Sequence, residues 1–72
     1  MSVRNQKDRE RLGRTVQKYR RQTGLSQEEF ASKIHASRTH LGHIEQGRKS
    51  PSFELLGKIA RALRVKIKDL LP

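Results

Sequence analysis

Residues 26–47 read SQEEFASKIHASRTHLGHIEQG, and their spacing predicts two short helices joined by a sharp turn. Ser26 followed by Glu29 has the form of a capping box, in which each side chain satisfies a backbone N–H left free by the first helical turn. Phe30, Ala31 and Ile34 then share one face at helical spacing. His35 and Ala36 make the turn, Ser37 caps the second helix, and Leu41 and Ile44 point back at the first. Gly47 suits the left-handed residue that closes a helix. The apolar positions are thereby used up. What is left is an outward face on the second helix carrying Arg38, Thr39, His40 and His43.

Outward from this stretch, the chain reads as five helices with no convincing strand. Residues 1–6 are expected to be a flexible arm and residues 7–72 a single domain. From about Lys7 the pattern is helical, with Leu12, Val16 and Tyr19 on one stripe, and Gly24 is the natural terminator. Arg48 to Pro51 is a loop, since proline disfavours helical geometry at the residue before it. Ser52 then caps a fourth helix on which Phe53, Leu56, Ile59, Ala60 and Leu63 recur at helical spacing. Arg64 to Lys66 is a short link, and Ile67 to Leu71 forms a final turn or two. These stripes, with Leu25, Val65 and Leu70, supply the expected core. Leu55 and Leu71 are left semi-exposed, as a dimer contact or as ordinary surface.

Bulk properties narrow the function. Seventy-two residues hold one small core and no elaborate active site. Cysteine is absent, which excludes a disulfide framework and thiolate metal sites. No apolar run approaches the roughly 20 residues that span a bilayer, and the amino terminus lacks a secretory apolar stretch. The expectation is a cytoplasmic protein without a membrane partner. Its charge is the more telling property: seventeen Lys and Arg against seven Asp and Glu leave a net +10. A field of that sign on so small a surface draws polyanions, of which nucleic acid is the commonest inside cells. Residues 1–24 hold eight basic and two acidic side chains, whereas residues 25–49 hold four and three. The excess flanks the two-helix stretch, as expected if flanking elements grip phosphates while a polar-led short helix reads bases in the major groove.

Read as a whole, GLSQEEFASKIHASRTHLGHIEQGRKSPSFELLGKIARAL resembles the helix-turn-helix domain of the lambda repressor/Cro type, the XRE family. The likeness rests on the L-S-Q-E-E-x-A opening, the I-E-x-G ending of the third helix, the S-P-S loop and the K-I-A-x-A-L of the fourth. It implies an all-α, compact five-helix bundle in which helices 2 and 3 form the helix-turn-helix. It also implies a homodimer on operator double-stranded DNA. Position by position, the resemblance puts Arg38, Thr39 and His43 at base edges, and His40 on the same face is expected to read bases with them. It puts Gln27, Ser37, Arg48 and Lys49 at phosphates, and pairs Arg20 with Glu45 in a partly buried ion pair.

Two positions depart from that family pattern. His35 stands where a left-handed turn usually has glycine, and histidine is among the more tolerant substitutes. Gly42 interrupts the third helix, costing about 1 kcal/mol relative to alanine. Either it admits a close backbone approach to DNA or it is neutral.

The chemistry of single residues fits the same picture. Arg38 is a cation in the first turn of a helix, opposed by the helix dipole, so its presence implies another gain. A bidentate contact to guanine O6 and N7 provides one. His40 and His43 lie three apart without an Asp, Glu or Cys at ligand spacing, so no metal is expected; they remain available to bases or phosphates. Neither a phosphate loop, a nucleophile elbow nor a cysteine nucleophile is present, and Glu28 and Glu29 point apart, so no enzyme and no cofactor is expected. The leading expectation is a stand-alone sequence-specific transcriptional regulator, a repressor or autoregulator on a palindromic operator, with no small-molecule effector. An antitoxin-like interaction module with secondary DNA binding, and a nonspecific architectural or RNA-binding protein, are the alternatives.

Overall fold

A computed structural model of the chain describes residues 5–72. Among them are five helices and no strand: α1 (Gln6–Thr23), α2 (Gln27–Lys33), α3 (Arg38–Glu45), α4 (Phe53–Leu63) and α5 (Ile67–Leu70). α1 starts at Gln6, where Asn5 accepts from the Asp8 N–H at 2.8 Å and caps it. Residues 1–4 of the expected arm lie outside the described residues.

Each start has a local cause. The Ser26 Oγ accepts from the Glu29 N–H at 3.0 Å, and Glu29 Oε1 accepts from the Ser26 N–H at 2.9 Å, which completes the capping box. Hydrogen bonds to the carboxylate from the Ser26 backbone N–H and then from the Ser26 side chain hold the Glu29 carboxyl below its ordinary value. Ser37 and Ser52 cap α3 and α4 in the same way, through the N–H groups of His40 and Leu55. The ends are equally local. Gly24 and Gly47 take left-handed φ values of 80° and 78°. His35 does so at 57°, so the turn between α2 and α3 keeps its left-handed residue without glycine. Arg64, read as a plain link residue, is likewise left-handed at 59° and ends α4.

The helices enclose one core in which Leu12 and Val16 of α1, Phe30 and Ala31 of α2 with Ile34 just past its end, Leu41 and Ile44 of α3, Leu56, Ile59, Ala60 and Leu63 of α4, and Leu70 of α5 are buried. Tyr19, Leu25, Val65 and Ile67 pack on its edge, as do Leu55 and Leu71. Phe53 is a correction to the expected core. It is 79% exposed, because it occupies the first position of α4, one turn before the stripe of Leu56, Ile59 and Leu63 reaches the interior.

Two contacts set α3 in its seat. Gly13 of α1 lies so close to the last turn of α3 that a Cβ would stand 2.5 Å from the Glu45 carbonyl oxygen and within clash distance of the Ile44 oxygen. Across the same seam runs the buried Arg20–Glu45 pair.

Candidate nucleic-acid interface

The Glu45 carboxylate is the anchor of α3. Oε2 accepts from Arg20 Nε at 2.6 Å, and Oε1 accepts from Arg20 Nη2 at 3.0 Å and from Gln27 Nε2 at 2.9 Å. Arg20 Nη1 donates to the Leu25 carbonyl at 2.8 Å, so one guanidinium ties α1, the α1–α2 loop and α3 together. A buried pair is stabilising only when its remaining polar atoms are satisfied. That condition is met here: among the described residues, no buried side-chain nitrogen or oxygen is left without a partner. The ion pair inferred from the family resemblance is therefore present, and Gln27 braces the third helix through it.

With α3 held by its inner face, its opposite face is turned outward. Arg38 and Thr39 are exposed and His43 half-buried. Together with Gly42, Gln46, Gln27 and Arg48 they line one shallow concave surface. Gln46 was not singled out in the sequence, although it continues the spacing of Thr39 and His43 by three residues and is exposed. Extending the polar stripe past the last helical residue to the C-cap is the signal that finds it.

The other expected residues are placed differently. His40 is half-buried and lies apart from this concave surface, one helical step toward the side of Ile44. Ser37 is exposed with its Oγ accepting from the His40 N–H, so its hydroxyl proton is free to donate outward. Lys49 is exposed beyond α3 and, like Arg48, has its backbone N–H bonded to the His43 carbonyl. The Arg48–Lys49 loop is thus tied to the third helix rather than free of it. At Gly42 a Cβ would meet nothing within 4 Å, so no contact inside the chain requires glycine there.

The face is chemically one of donors. Arg38, Arg48, the Gln27 and Gln46 amides and the His43 ring offer N–H groups, and no carboxylate lines it. Among the described residues no group of three His, Cys, Asp or Glu is arranged to hold a metal ion, and no helix is long and apolar enough to cross a membrane. Two short helices joined by a tight turn, the second seated rigidly with a donor-rich face outward, have the form of a helix-turn-helix.

Comparison with known proteins makes the assignment specific. A family model described as helix-turn-helix matches residues 16–70. The chain belongs to this family, the helix-turn-helix proteins of the XRE, lambda repressor-like type. It is 41% identical over 56 residues to an uncharacterized HTH-type transcriptional regulator of Methanothermobacter thermautotrophicus, covering 76% of this chain and 81% of the relative. It is 37% identical over 57 residues to multiprotein-bridging factor 1 of Candida glabrata; that match takes in 79% of this chain but only 38% of the longer relative. Among solved structures, the restriction-modification controller protein C.AhdI from Aeromonas hydrophila superposes with a TM-score of 0.84 at 28% identity, covering 88% of this chain and 96% of that one. SinR, described as the master regulator for biofilm formation and solved in complex with DNA, superposes with a TM-score of 0.78 at 30% identity, covering 82% and 95%.

Proposed function

We propose that this protein is a sequence-specific regulator that binds a palindromic operator in double-stranded DNA as a homodimer and acts as a repressor or autoregulator in the cytoplasm. The observation that carries the reading is the outward face of α3. Arg38, Thr39, His43 and Gln46 project from a helix whose inner side is locked by Arg20, Gln27 and Glu45. Base reading needs side chains delivered at a fixed depth, and a rigid seat delivers them.

In this reading Arg38 takes guanine O6 and N7, Thr39 meets a thymine methyl or a phosphate, and His43 and Gln46 reach neighbouring base edges. Gln27, Ser37, Arg48 and Lys49 hold phosphates on either side, and His40 lies at the rim of the groove. Likeness to SinR, a protein solved in complex with DNA, supports a DNA-binding role. Two copies would set their third helices about 34 Å apart, in successive major grooves. The protein works by binding, with no catalytic step and no cofactor.

The test is selection from a random duplex library with the purified protein. The expected product is a palindrome with constant half-site spacing. Arg38→Ala is expected to relax the preference at one base position per half-site, while Arg48→Ala weakens all sequences about equally. Equal affinity for unrelated duplexes, with a steep salt slope as the sole dependence, would overturn the reading in favour of nonspecific nucleic-acid binding. Co-purification of a stoichiometric protein partner without a selected duplex would favour an antitoxin-like role.

A further inference from the structure

The outer face of α1 has no part in the core, in the seat of α3 or in the concave surface just described. Lys7, Arg11, Arg14, Lys18 and Arg21 recur on it at intervals of four, three, four and three residues, and all five are exposed. At 3.6 residues per turn they fall within an arc of about 80°, on the side opposite Leu12 and Val16. Among the described residues none of the five forms an ion pair with a carboxylate. Each neighbouring pair in the stripe is a like-charge pair at i,i+3 or i,i+4, an arrangement that works against the helix. Asp8 and Glu10, the carboxylates of α1, sit on its flanks and are half-buried.

Such a stripe calls for a polyanion, and its composition selects which one. A protein interface buries aromatic or aliphatic anchors at its centre, and this face offers none. Single-stranded nucleic acid is held by aromatic stacking platforms, whereas Tyr19, the one aromatic of α1, lies off the stripe and half-buried. What remains is a regular file of cations extending about 21 Å along the helix, a match for about six base-pair steps of a duplex backbone. The file is also continuous with the recognition surface. Arg11, Arg14 and Lys18 share one shallow depression, and Arg21, at the end of the stripe, shares a groove with Gln27 and Arg38.

We propose that the outer face of α1 is a sequence-independent clamp for the phosphate backbone of the DNA that flanks the half-site read by α3. It lengthens the contacted duplex without adding base specificity. This rests on the DNA-reading role proposed above, and the experiment separates the two. Salt-dependent titrations are run on the selected operator in two forms: trimmed to the palindrome, and extended by about ten base pairs at each end. The wild-type protein is compared with the Arg11→Gln, Arg14→Gln, Lys18→Gln, Arg21→Gln variant, glutamine being a good helix former. A charge-preserving control carries Arg11→Lys, Arg14→Lys and Arg21→Lys.

The wild type is expected to bind the extended duplex more tightly and with a steeper salt slope. Each lost phosphate contact lowers that slope by about 0.9, so four contacts are worth roughly 100-fold in affinity between 50 and 200 mM salt. The glutamine variant is expected to lose the gain from extension while selecting an unchanged palindrome, and the lysine control to keep it. Equal losses on the trimmed and extended duplexes, or no loss on either, would overturn the clamp and leave the operator reading intact. Failure of the wild type to select any palindrome would instead overturn the reading on which the clamp rests.

Discussion

Replacing Gly13 by alanine sets helix propensity against tertiary packing. In an open helix the change gains about 1 kcal/mol. At this position the new Cβ would stand 2.5 Å from the Glu45 carbonyl oxygen and 2.8 Å from its carbonyl carbon, with the Ile44 oxygen closer still. All three are backbone atoms, so no rotamer change relieves the clash. Ordinary contact at about 3.5 Å is restored only if α1 and α3 part by about an ångström. Overpacking of that kind costs about 1–3 kcal/mol. The same parting stretches the Arg20–Glu45 bonds of 2.6 and 3.0 Å, which cross the seam. Outright loss of a buried pair is worth about 3–5 kcal/mol, and a partial stretch about a third of that.

With the propensity gain deducted, the net expectation is a destabilisation of about 2 kcal/mol. For a domain of this size that lowers Tm by about 8–16 °C. Urea unfolding followed by far-ultraviolet circular dichroism measures it, with Gly42→Ala and Gly57→Ala as references. At Gly42 a Cβ meets nothing within 4 Å, and at Gly57 it meets only Arg61 Nη1 at 3.6 Å. Both references are expected to gain up to about 1 kcal/mol. If Gly13→Ala proved as stable as these two, the argument that the α1–α3 approach requires glycine would be wrong.

Two further outcomes are expected from the same measurements. Arg20→Lys keeps the charge but loses the planar fork that reaches both Glu45 oxygens and the Leu25 carbonyl; a loss of about 2 kcal/mol is expected, and a neutral result would mean that charge alone seats the third helix. His35→Gly removes a side chain from a left-handed φ of 57° at an exposed turn. The relief of about 1–2 kcal/mol exceeds the added chain entropy of about 0.5–1 kcal/mol, so unfolding should shift to higher urea.

Much of this molecule is legible along the chain because its helix ends are local. The bonds from Ser26, Ser37 and Ser52 reach only three residues ahead, and the left-handed ends at Gly24 and Gly47 are decided by one residue's φ. His35 shows the same logic at work on a poorer residue: the turn is demanded by the capped helices on either side, and histidine complies. The left-handed end at Arg64 has no such local signal, because arginine carries none for a left-handed cap. Phe53 misled because its sequence spacing fits the stripe of α4, but a first-turn residue faces the core only if the helix entry points it there.

The candidate interface divides in the same way. By itself the sequence determined the five helical stretches, a turn at His35 and Ala36, the polar character of the third helix and the basic excess around it, since each depends on residues within about one helical turn or on composition alone; the left-handed conformation of His35 was implied only by the family resemblance. Only the tertiary structure decided how closely α1 and α3 approach at Gly13, that Gln46 joins Thr39 and His43 while His40 stands aside, and that five cations of α1 share an outer face without ion pairs that is continuous with that surface. Those outcomes depend on interhelical distance and rotation, which are set by the packing of side chains distant in sequence and carry no local signature.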